Sequence, residues 1–326
     1  MKNPKPYERR DMTLVPLKVD GTPDIHALNA EFSEEYLRNK QHPRWVPKAT
    51  TAWMWARTVK CKFCRTEVPL LKTTWLSRKA TQRAVLTLRA SEATGEPVEF
   101  GVLNNVPVKG GNAAQRREHD KQLGAGTMSR AGAKCPSCGT INTMEDIRVE
   151  GQAKRLGAVL TAVVVEGQRG KEYRSPTPEE KVLGRECFAA IEDIYRDVPF
   201  GPPSESTPRG GGRGASRAFA VYGYGFSQWA DLFTPRQHLA LSTFLRMTRN
   251  ALAELKHFYS HESWIQAVYA GLTIGMDRLA DRQSTVCRWD NGYTKLQGTF
   301  TRFALPITWD YCEGNPFSDA TGNYLV

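Results

Sequence analysis

Two short stretches, C-K-F-C-R at residues 61–65 and C-P-S-C-G-T at residues 135–140, carry the strongest structural information in this chain. A C-x-x-C turn lets two thiolates point at one cation from a single tight loop. Two such turns that face each other complete a tetrahedral all-thiolate shell closed to water. The motifs therefore predict a structural zinc ion with four cysteine ligands, which are Cys61, Cys64, Cys135 and Cys138.

The spacing between the two pairs leaves alternatives open. Seventy residues separate Cys64 from Cys135, whereas about 15–20 are usual between such pairs. We interpret the spacing as a zinc ribbon whose connecting hairpin is extended by the strands and loop of residues 72–134. The alternatives are two unrelated reduced pairs or a redox role. The other three cysteines stand alone, and the odd total argues for a reducing compartment rather than a disulfide framework; they are Cys187, Cys287 and Cys312.

The positive charge is concentrated in one part of the chain. The 326 residues have a net charge of +11, and residues 51–175 contain 21 Lys and Arg against 11 Asp and Glu. A phosphate polyanion is the usual partner of such a segment, and we expect DNA; a solubilising charge excess is the alternative. The candidate nucleic-acid contacts around the first cysteine pair are Arg57, Lys60, Lys62 and Arg65.

Aromatic side chains alternate with these cations, at Trp53, Trp55, Phe63 and Trp75. Flat apolar side chains beside cations suit a nucleic-acid backbone with exposed bases. A small aromatic β-core with solvated cations between its strands is the simpler interpretation of the aromatics.

The composition excludes several classes of protein. With 40% hydrophobic and 24% charged residues, the chain is neither wholly disordered, nor collagen-like, nor embedded in a membrane. Its longest apolar run, residues 158–165, has eight residues, whereas a membrane-spanning helix needs roughly 20. Residues 1–10 lack the apolar segment of a secretory signal. We therefore expect a cytoplasmic protein without a membrane partner.

The predicted fold class is α+β, with three regions in the chain. These are an N-terminal arm with a short helix from Asp24 to about Lys40 (residues 1–51), a basic zinc-ribbon β-module (52–175) and a helix-rich region (176–326). The last region contains a Gly/Pro-rich loop at 199–216 and an irregular aromatic tail from Ser284.

Local patterns place the individual elements. Short runs rich in β-branched and aromatic residues predict strands at 53–60, 73–77, 83–89, 98–103 and 158–166. Residues 104–134 are Gly-rich and polar, which predicts a long exposed loop or a segment that orders on binding. Helices are predicted from Thr177, which begins a capping box with Glu180, from Pro235 to about Tyr259, and over 262–281.

Several longer stretches resemble one protein family. They are W-M-W-A-R-T-V-K-C (53–61), E-V-P-L-L-K-T-T-W-L-S-R-K (67–79), A-K-C-P-S-C-G (133–139), R-A-F-A-V-Y-G-Y-G-F-S-Q-W-A-D-L-F-T-P-R-Q (217–237), C-R-W-D (287–290) and A-L-P-I-T-W-D-Y-C-E-G-N-P-F-S-D-A-T-G-N (304–323). Together they resemble the zinc-ribbon-containing adenine-specific DNA methylases, large enzymes often encoded beside bacterial anti-phage systems.

The resemblance implies a piece of a Rossmann-like methyltransferase that uses S-adenosylmethionine to methylate adenine N6. Family members carry an F-x-G-x-G cofactor loop before the ribbon and a D-P-P-Y catalytic loop after the N-P-F-S segment. This sequence has neither motif, so no catalytic or cofactor-binding residue is assigned.

The expected function is therefore a zinc-ribbon DNA-binding component of a split or truncated DNA adenine-N6 methyltransferase, in a prokaryotic restriction or anti-phage context. A partner chain would carry the missing motifs and share in binding S-adenosylmethionine. The alternative is a stand-alone, non-enzymatic zinc-ribbon nucleic-acid-binding protein, and a third hypothesis is a structural protein.

Overall fold

The computed structural model describes residues 12–14, 38, 45–47, 50–90, 95–167, 170–182, 187–198, 201–210, 218–318 and 320–324. The chain divides into two compact units, one of Met1–Thr50 with Val165–Glu172 and one of Thr51–Val164 with Tyr173–Val326. Apart from Arg38, which is helical, the helix predicted from Asp24 to about Lys40 lies outside the described residues.

Most of the described strands precede residue 175, and the longest helices follow it. The described strands are β1 (Met12–Leu14), β2 (Trp45–Pro47), β3 (Thr50–Lys60), β4 (Glu67–Leu70), β5 (Trp75–Lys79), β6 (Gln82–Arg89), β7 (Glu99–Asn104), β8 (Gly132–Lys134), β9 (Ile141–Thr143), β10 (Gly157–Gly167), β11 (Gly170–Arg174), β12 (Arg288–Asp290), β13 (Lys295–Gln297) and β14 (Asp310–Gly314). The described α-helices are α1 (Ala113–Leu123), α2 (Met144–Gln152), α3 (Pro178–Val182), α4 (Cys187–Asp197), α5 (Pro235–Phe258) and α6 (Glu262–Arg282). The fold is therefore of the mixed α and β class that the sequence predicts.

The largest sheet is antiparallel and curled, with the strand order β11-β10-β3-β14 and β4 paired with β3. The 11-residue strand β3 is rich in Thr and Trp, which favour extended backbone. Its first half pairs with β14, from Ala52↔Gly314 to Ala56↔Asp310. Its second half pairs with β4, from Arg57↔Leu70 to Lys60↔Glu67. One strand thus connects β14 to the hairpin of the first cysteine pair.

Two hydrophobic clusters support this sheet. In the first, small and linear side chains of β3 pack against apolar side chains of other strands; the cluster includes Ala52, Met54, Ala56, Leu76, Leu86, Ala162 and Val164. In the second, apolar residues surround the cysteine pairs; they include Val59, Val68, Leu70, Ala133, Ile147 and Trp309. Fully burying one such aliphatic side chain contributes roughly 1.5–3 kcal/mol to folding, so both clusters fix the position of β3.

Most of the predicted elements are confirmed. Strands β3, β6, β7 and β10 match the predicted runs within a few residues, and so do helices α5 and α6. Thr177 begins α3 as predicted, because its hydroxyl accepts from the Glu180 amide and the Glu180 carboxylate accepts from the Thr177 amide. Residues 201–210 of the predicted loop contain no helix or strand, and its residues 199–200 and 211–216 lie outside the described part.

Two predictions of irregular structure are wrong. Residues 104–134 are not a continuous loop, because they contain helix α1, which begins with a capping box between Asn112 and Gln115. The segment from Ser284 is not irregular, because it contains the β12–β13 hairpin and β14. A side-chain cap stabilises the start of α1, and backbone pairing stabilises the strands after Ser284. The periodicity of hydrophobic residues predicts neither.

Candidate metal centre

The two cysteine pairs lie in hairpin turns with the same backbone geometry. In the β3–β4 turn, the Cys61 amide donates to the Thr66 carbonyl over 2.8 Å, and the Arg65 amide donates to the Cys61 carbonyl over 3.0 Å. In the β8–β9 turn, the corresponding bonds run from Cys135 to the Thr140 carbonyl and from Gly139 to the Cys135 carbonyl, each over 2.9 Å. The two turns are therefore structural counterparts, related residue by residue.

One position in each turn adopts the left-handed backbone conformation. Arg65 has a φ of 64° and Gly139 a φ of 76°, a region in which glycine carries no steric penalty. This conformation closes the turn so tightly that the second cysteine of each pair faces the same point as the first.

The four sulfur atoms converge on one point. All four Sγ atoms lie within 4.8 Å of one another, with 3.7 Å between Cys61 and Cys138 and 3.6 Å between Cys64 and Cys135. A tetrahedral zinc ion with Zn–S bonds of about 2.3 Å places its sulfurs about 3.8 Å apart, whereas a disulfide needs about 2.05 Å. The cluster therefore has the dimensions of a metal site and not of two disulfides.

The four thiols differ in their surroundings. Cys138 is exposed and the other three cysteines are buried. Burial raises the pKa of Cys135 to about 12, while hydrogen bonds with Thr140 lower the pKa of Cys138 to about 6. A hydrogen bond with Thr66 lowers the pKa of Cys64. A bound cation would favour the thiolate form of all four, since the ion is the largest local charge.

Contacts outside the cluster join the two turns. The Lys62 amide donates to the Asn142 side-chain oxygen over 2.9 Å, and Asn142 is buried. The Lys62 ammonium lies 2.8 Å from the Asp146 carboxylate, and that carboxylate also accepts from the Thr143 amide at the start of α2. Helix α2 is thereby attached to both cysteine turns.

The predicted nucleic-acid contacts are divided by the fold. Lys60, Lys62 and Arg65 are exposed around the first turn. Phe63 lies between them, and 77% of its surface is exposed. Arg57 is instead buried, so it does not belong to this surface.

The buried Arg57 is held by backbone and aromatic groups. Its guanidinium donates to the Thr308 carbonyl over 2.9 Å and to the Thr285 hydroxyl over 2.8 Å. It also lies 4.2 Å from the centre of the Phe226 ring. Burial lowers the pKa of Arg57 to about 10. Its role is to join β3 to segments more than 160 residues away.

Sequence reasoning missed two threonines that support the metal site. Thr66 and Thr140 each supply the carbonyl that closes a turn and the hydroxyl that lowers the pKa of a cysteine. The two motifs share the longer spacing C-x-x-C-x-T, which is the sequence pattern that predicts this equivalence.

The aromatic residue Trp75 is buried, as the β-core interpretation expects.

A separate cavity of about 450 Å³ lies beside β14. Trp55, Trp289 and the half-buried Asp310 are among its lining residues. Burial raises the pKa of Asp310 to about 6, although backbone amides and the nearby charge of Lys72 oppose the rise. The cavity therefore holds a carboxyl that changes its charge close to neutral pH.

Among the described residues, no helix combines the length and apolar character that crossing a bilayer requires. Comparisons of the chain with protein-family models, with curated proteins and with solved structures return no match.

Proposed function

We propose that the chain is a DNA-binding protein whose basic module is held together by a structural zinc ion. The observation that carries this proposal is the convergence of four cysteine Sγ atoms, from two equivalent hairpin turns, within 4.8 Å of one another. Zinc is favoured because all-thiolate tetrahedral sites are typical of structural zinc.

The role of the ion is structural rather than catalytic. Four protein ligands leave no open position for water or substrate. Strands β8 and β9 have three residues each, and an isolated two-stranded hairpin is at best marginally stable in water. The ion would therefore supply folding energy to both turns.

Exposed cations on the first turn support a nucleic-acid partner. Lys60, Lys62 and Arg65 are exposed within six residues of one another, beside the exposed ring of Phe63. The ion pair of Lys62 with Asp146 is partly exposed, with 49% and 38% of the two side chains accessible, and such a surface pair contributes little to stability, so the ammonium can exchange its partner for a phosphate. Cations position such a surface on the backbone while an aromatic ring stacks on an exposed base.

Metal content tests the zinc site. We expect about one zinc ion per chain in the wild type and loss of the metal in Cys135→Ser, measured by mass spectrometry of the purified protein. Cys287→Ser is the matched control, because Cys287 is equally buried but lies outside the cluster. Equal zinc contents in both variants would refute the site.

Salt-dependent DNA binding tests the function. We expect Lys60→Ala/Lys62→Ala/Arg65→Ala to weaken binding to a labelled 24-base-pair duplex and to lower the salt slope by about 2–3, at about 0.9 per lost phosphate contact. The control removes three exposed cations elsewhere, Arg249, Lys256 and Arg278. DNA binding that does not depend on salt, or an equal loss of binding in both variants, would contradict the DNA-binding surface. The positive charge would then serve only solubility.

A second candidate places this DNA-binding function within an adenine-N6 methyltransferase. The observation in its favour is that stretches resembling that family meet at Arg57, which contacts Phe226 of residues 217–237 and Thr308 of residues 304–323. Segments that belong to one common fold are expected to contact one another in this way. S-adenosylmethionine and a partner chain enter this proposal through the resemblance alone.

The test is methyl transfer to duplex DNA by this chain, by a partner chain carrying F-x-G-x-G and D-P-P-Y, and by the mixture. We expect adenine methylation only from the mixture, together with co-elution of the two chains. Full activity of the partner alone, or no association, would contradict this candidate without affecting the DNA-binding proposal.

A further inference from the structure

None of the 11 residues of helix α1 is buried. Every residue from Gly111 to Glu118 is exposed. The helix begins without support from packing, because the Asn112 side chain accepts from the Ala114 and Gln115 amides while the Gln115 side chain accepts from the Asn112 amide. A capping box of this kind orders a helix start that stands in solvent.

The last turn of α1 attaches the helix to the β5–β7 sheet. The Trp75 indole donates to the Asp120 carbonyl over 2.9 Å. The Asp120 carboxylate accepts from both terminal nitrogens of Arg83, and Leu123 packs against the cluster that contains Trp75 and Val85. Since these contacts are confined to the C-terminal end, the first two turns project away from the sheet.

The projecting part carries positive charge. Residues 105–134 contain six Lys and Arg against two Asp and Glu, and one of those two acids, Asp120, is engaged by Arg83. Arg116 and Arg117 are exposed, and no ion pair joins either of them to a carboxylate of the described residues. Such guanidinium groups remain available for an external anion.

The segment after α1 connects it directly to the metal centre. The Thr127 hydroxyl accepts from the Leu71 amide and donates to the Pro69 carbonyl. The Lys134 amide donates to the Thr127 carbonyl. Cys135 is the next residue. The same chain segment therefore holds α1 at one end and a metal ligand at the other.

We infer that α1 is a recognition helix that enters the major groove of duplex DNA, with Arg116 and Arg117 as contact residues. This inference rests on the proposed function and names its partner more narrowly. The B-form major groove is about 12 Å wide and admits an α-helix, and 11 residues give a helix about 16 Å long. The deep, narrow major groove of A-form RNA excludes a helix, so the projecting geometry favours DNA.

The experiment measures fluorescence anisotropy of a labelled 24-base-pair DNA duplex and of the RNA duplex of the same sequence, over a range of salt concentrations. The test variant is Arg116→Ala/Arg117→Ala, which alters exposed residues only. Its matched control is Arg249→Ala/Lys256→Ala, which removes two exposed cations from α5. Thermal unfolding of both variants checks that the fold is retained.

We expect the wild type to prefer the DNA duplex. The test variant should bind DNA at least tenfold more weakly at each salt concentration, and the control should bind like the wild type. We further expect methylation of guanine N7, which lies in the major groove, to weaken wild-type binding.

Four results would overturn the inference, and they separate it from the proposed function. Wild-type affinity in the test variant, with binding still lost on removing Lys60, Lys62 and Arg65, would reject α1 and keep the DNA-binding proposal. Preference for the RNA duplex, or binding unaffected by N7 methylation, would reject binding of α1 in the major groove. No binding by the wild type would reject both.

Discussion

Arg57 and Lys60 are three residues apart on one strand, yet the fold gives them opposite environments. Lys60 is exposed at the end of β3, whereas Arg57 is buried among groups from Phe226, Thr285 and Thr308. No local pattern distinguishes two cations of a basic stretch, because the groups that bury Arg57 come from the distant half of the chain. At the scale of single residues, the sequence therefore predicts the chemistry of the side chain better than its location.

Asp310 gives a prediction at this scale. Because burial raises its folded-state pKa to about 6, the folded protein binds more protons than the unfolded chain between about pH 4 and pH 6. The free energy of unfolding therefore falls as pH rises through that interval. We expect Asp310→Asn to remove this fall in the free energy of unfolding. The variant should be more stable than the wild type at pH 7.5 by about 1–2 kcal/mol.

Urea unfolding at pH 4 and pH 7.5 measures the effect. Asp277→Asn is the control, since Asp277 is exposed on α6. If the free energies of unfolding of Asp310→Asn and the wild type differ by the same amount at both pH values, the Asp310 carboxyl is not the origin of the pH dependence.

Among the elements, α5 and α1 differ in how visible they are in the sequence. Helix α5 begins with Thr234 as its cap and Pro235 in its first turn, so its start is predicted from the sequence. Helix α1 has no apolar face, because it packs only through its last turn, and its composition is that of a loop. The capping pair of Asn112 and Gln115 is the pattern that predicts its start.

The start of α5 gives the prediction at this scale. The Thr234 hydroxyl accepts from the Gln237 amide, and the Gln237 side chain accepts from the Thr234 amide. We expect Thr234→Ala to lower the free energy of unfolding by about 1 kcal/mol, because an amide loses its partner at the helix start.

Denaturant unfolding measures this loss, and Thr273→Ala is the control. Thr273 is exposed inside α6 and donates to the Tyr269 carbonyl, so its replacement should change stability by less than about 0.5 kcal/mol. Equal effects of the two substitutions would show that the cap contributes nothing specific.

At the scale of the whole molecule, the two C-x-x-C motifs predict that residues 61–64 and 135–138 meet, and the structure brings their sulfurs together. The order of strands around β3 is beyond the same reasoning. Its partners β4, β10 and β14 are spread from residue 67 to residue 314, and pairing at such separations depends on packing throughout the molecule. Short repeated motifs thus predict the candidate site better than the sheet that supports it.

Metal removal gives the prediction at this scale. We expect a zinc chelator to lower the melting temperature and to speed amide exchange at Cys61 and Cys135, whose amides close the two turns. Helices α5 and α6 should exchange as before, because their backbone bonds are internal. Hydrogen exchange followed by mass spectrometry measures both regions.

Treatment with the chelator already loaded with zinc is the control for the reagent itself. Unchanged exchange in both turns after verified loss of the metal would contradict a stabilising role for the ion.

The pairing of β3 with β14 has a consequence for biosynthesis. Asp310 pairs with Ala56, so a ribosome that adds about 5–20 residues per second completes this pairing roughly 13–50 s after β3 is made. Throughout that interval the nascent chain presents one open edge of β3 and an unburied Arg57 guanidinium. We expect the emerging polypeptide to need chaperones during translation, and refolding of the finished chain to be slowed by its non-local contacts.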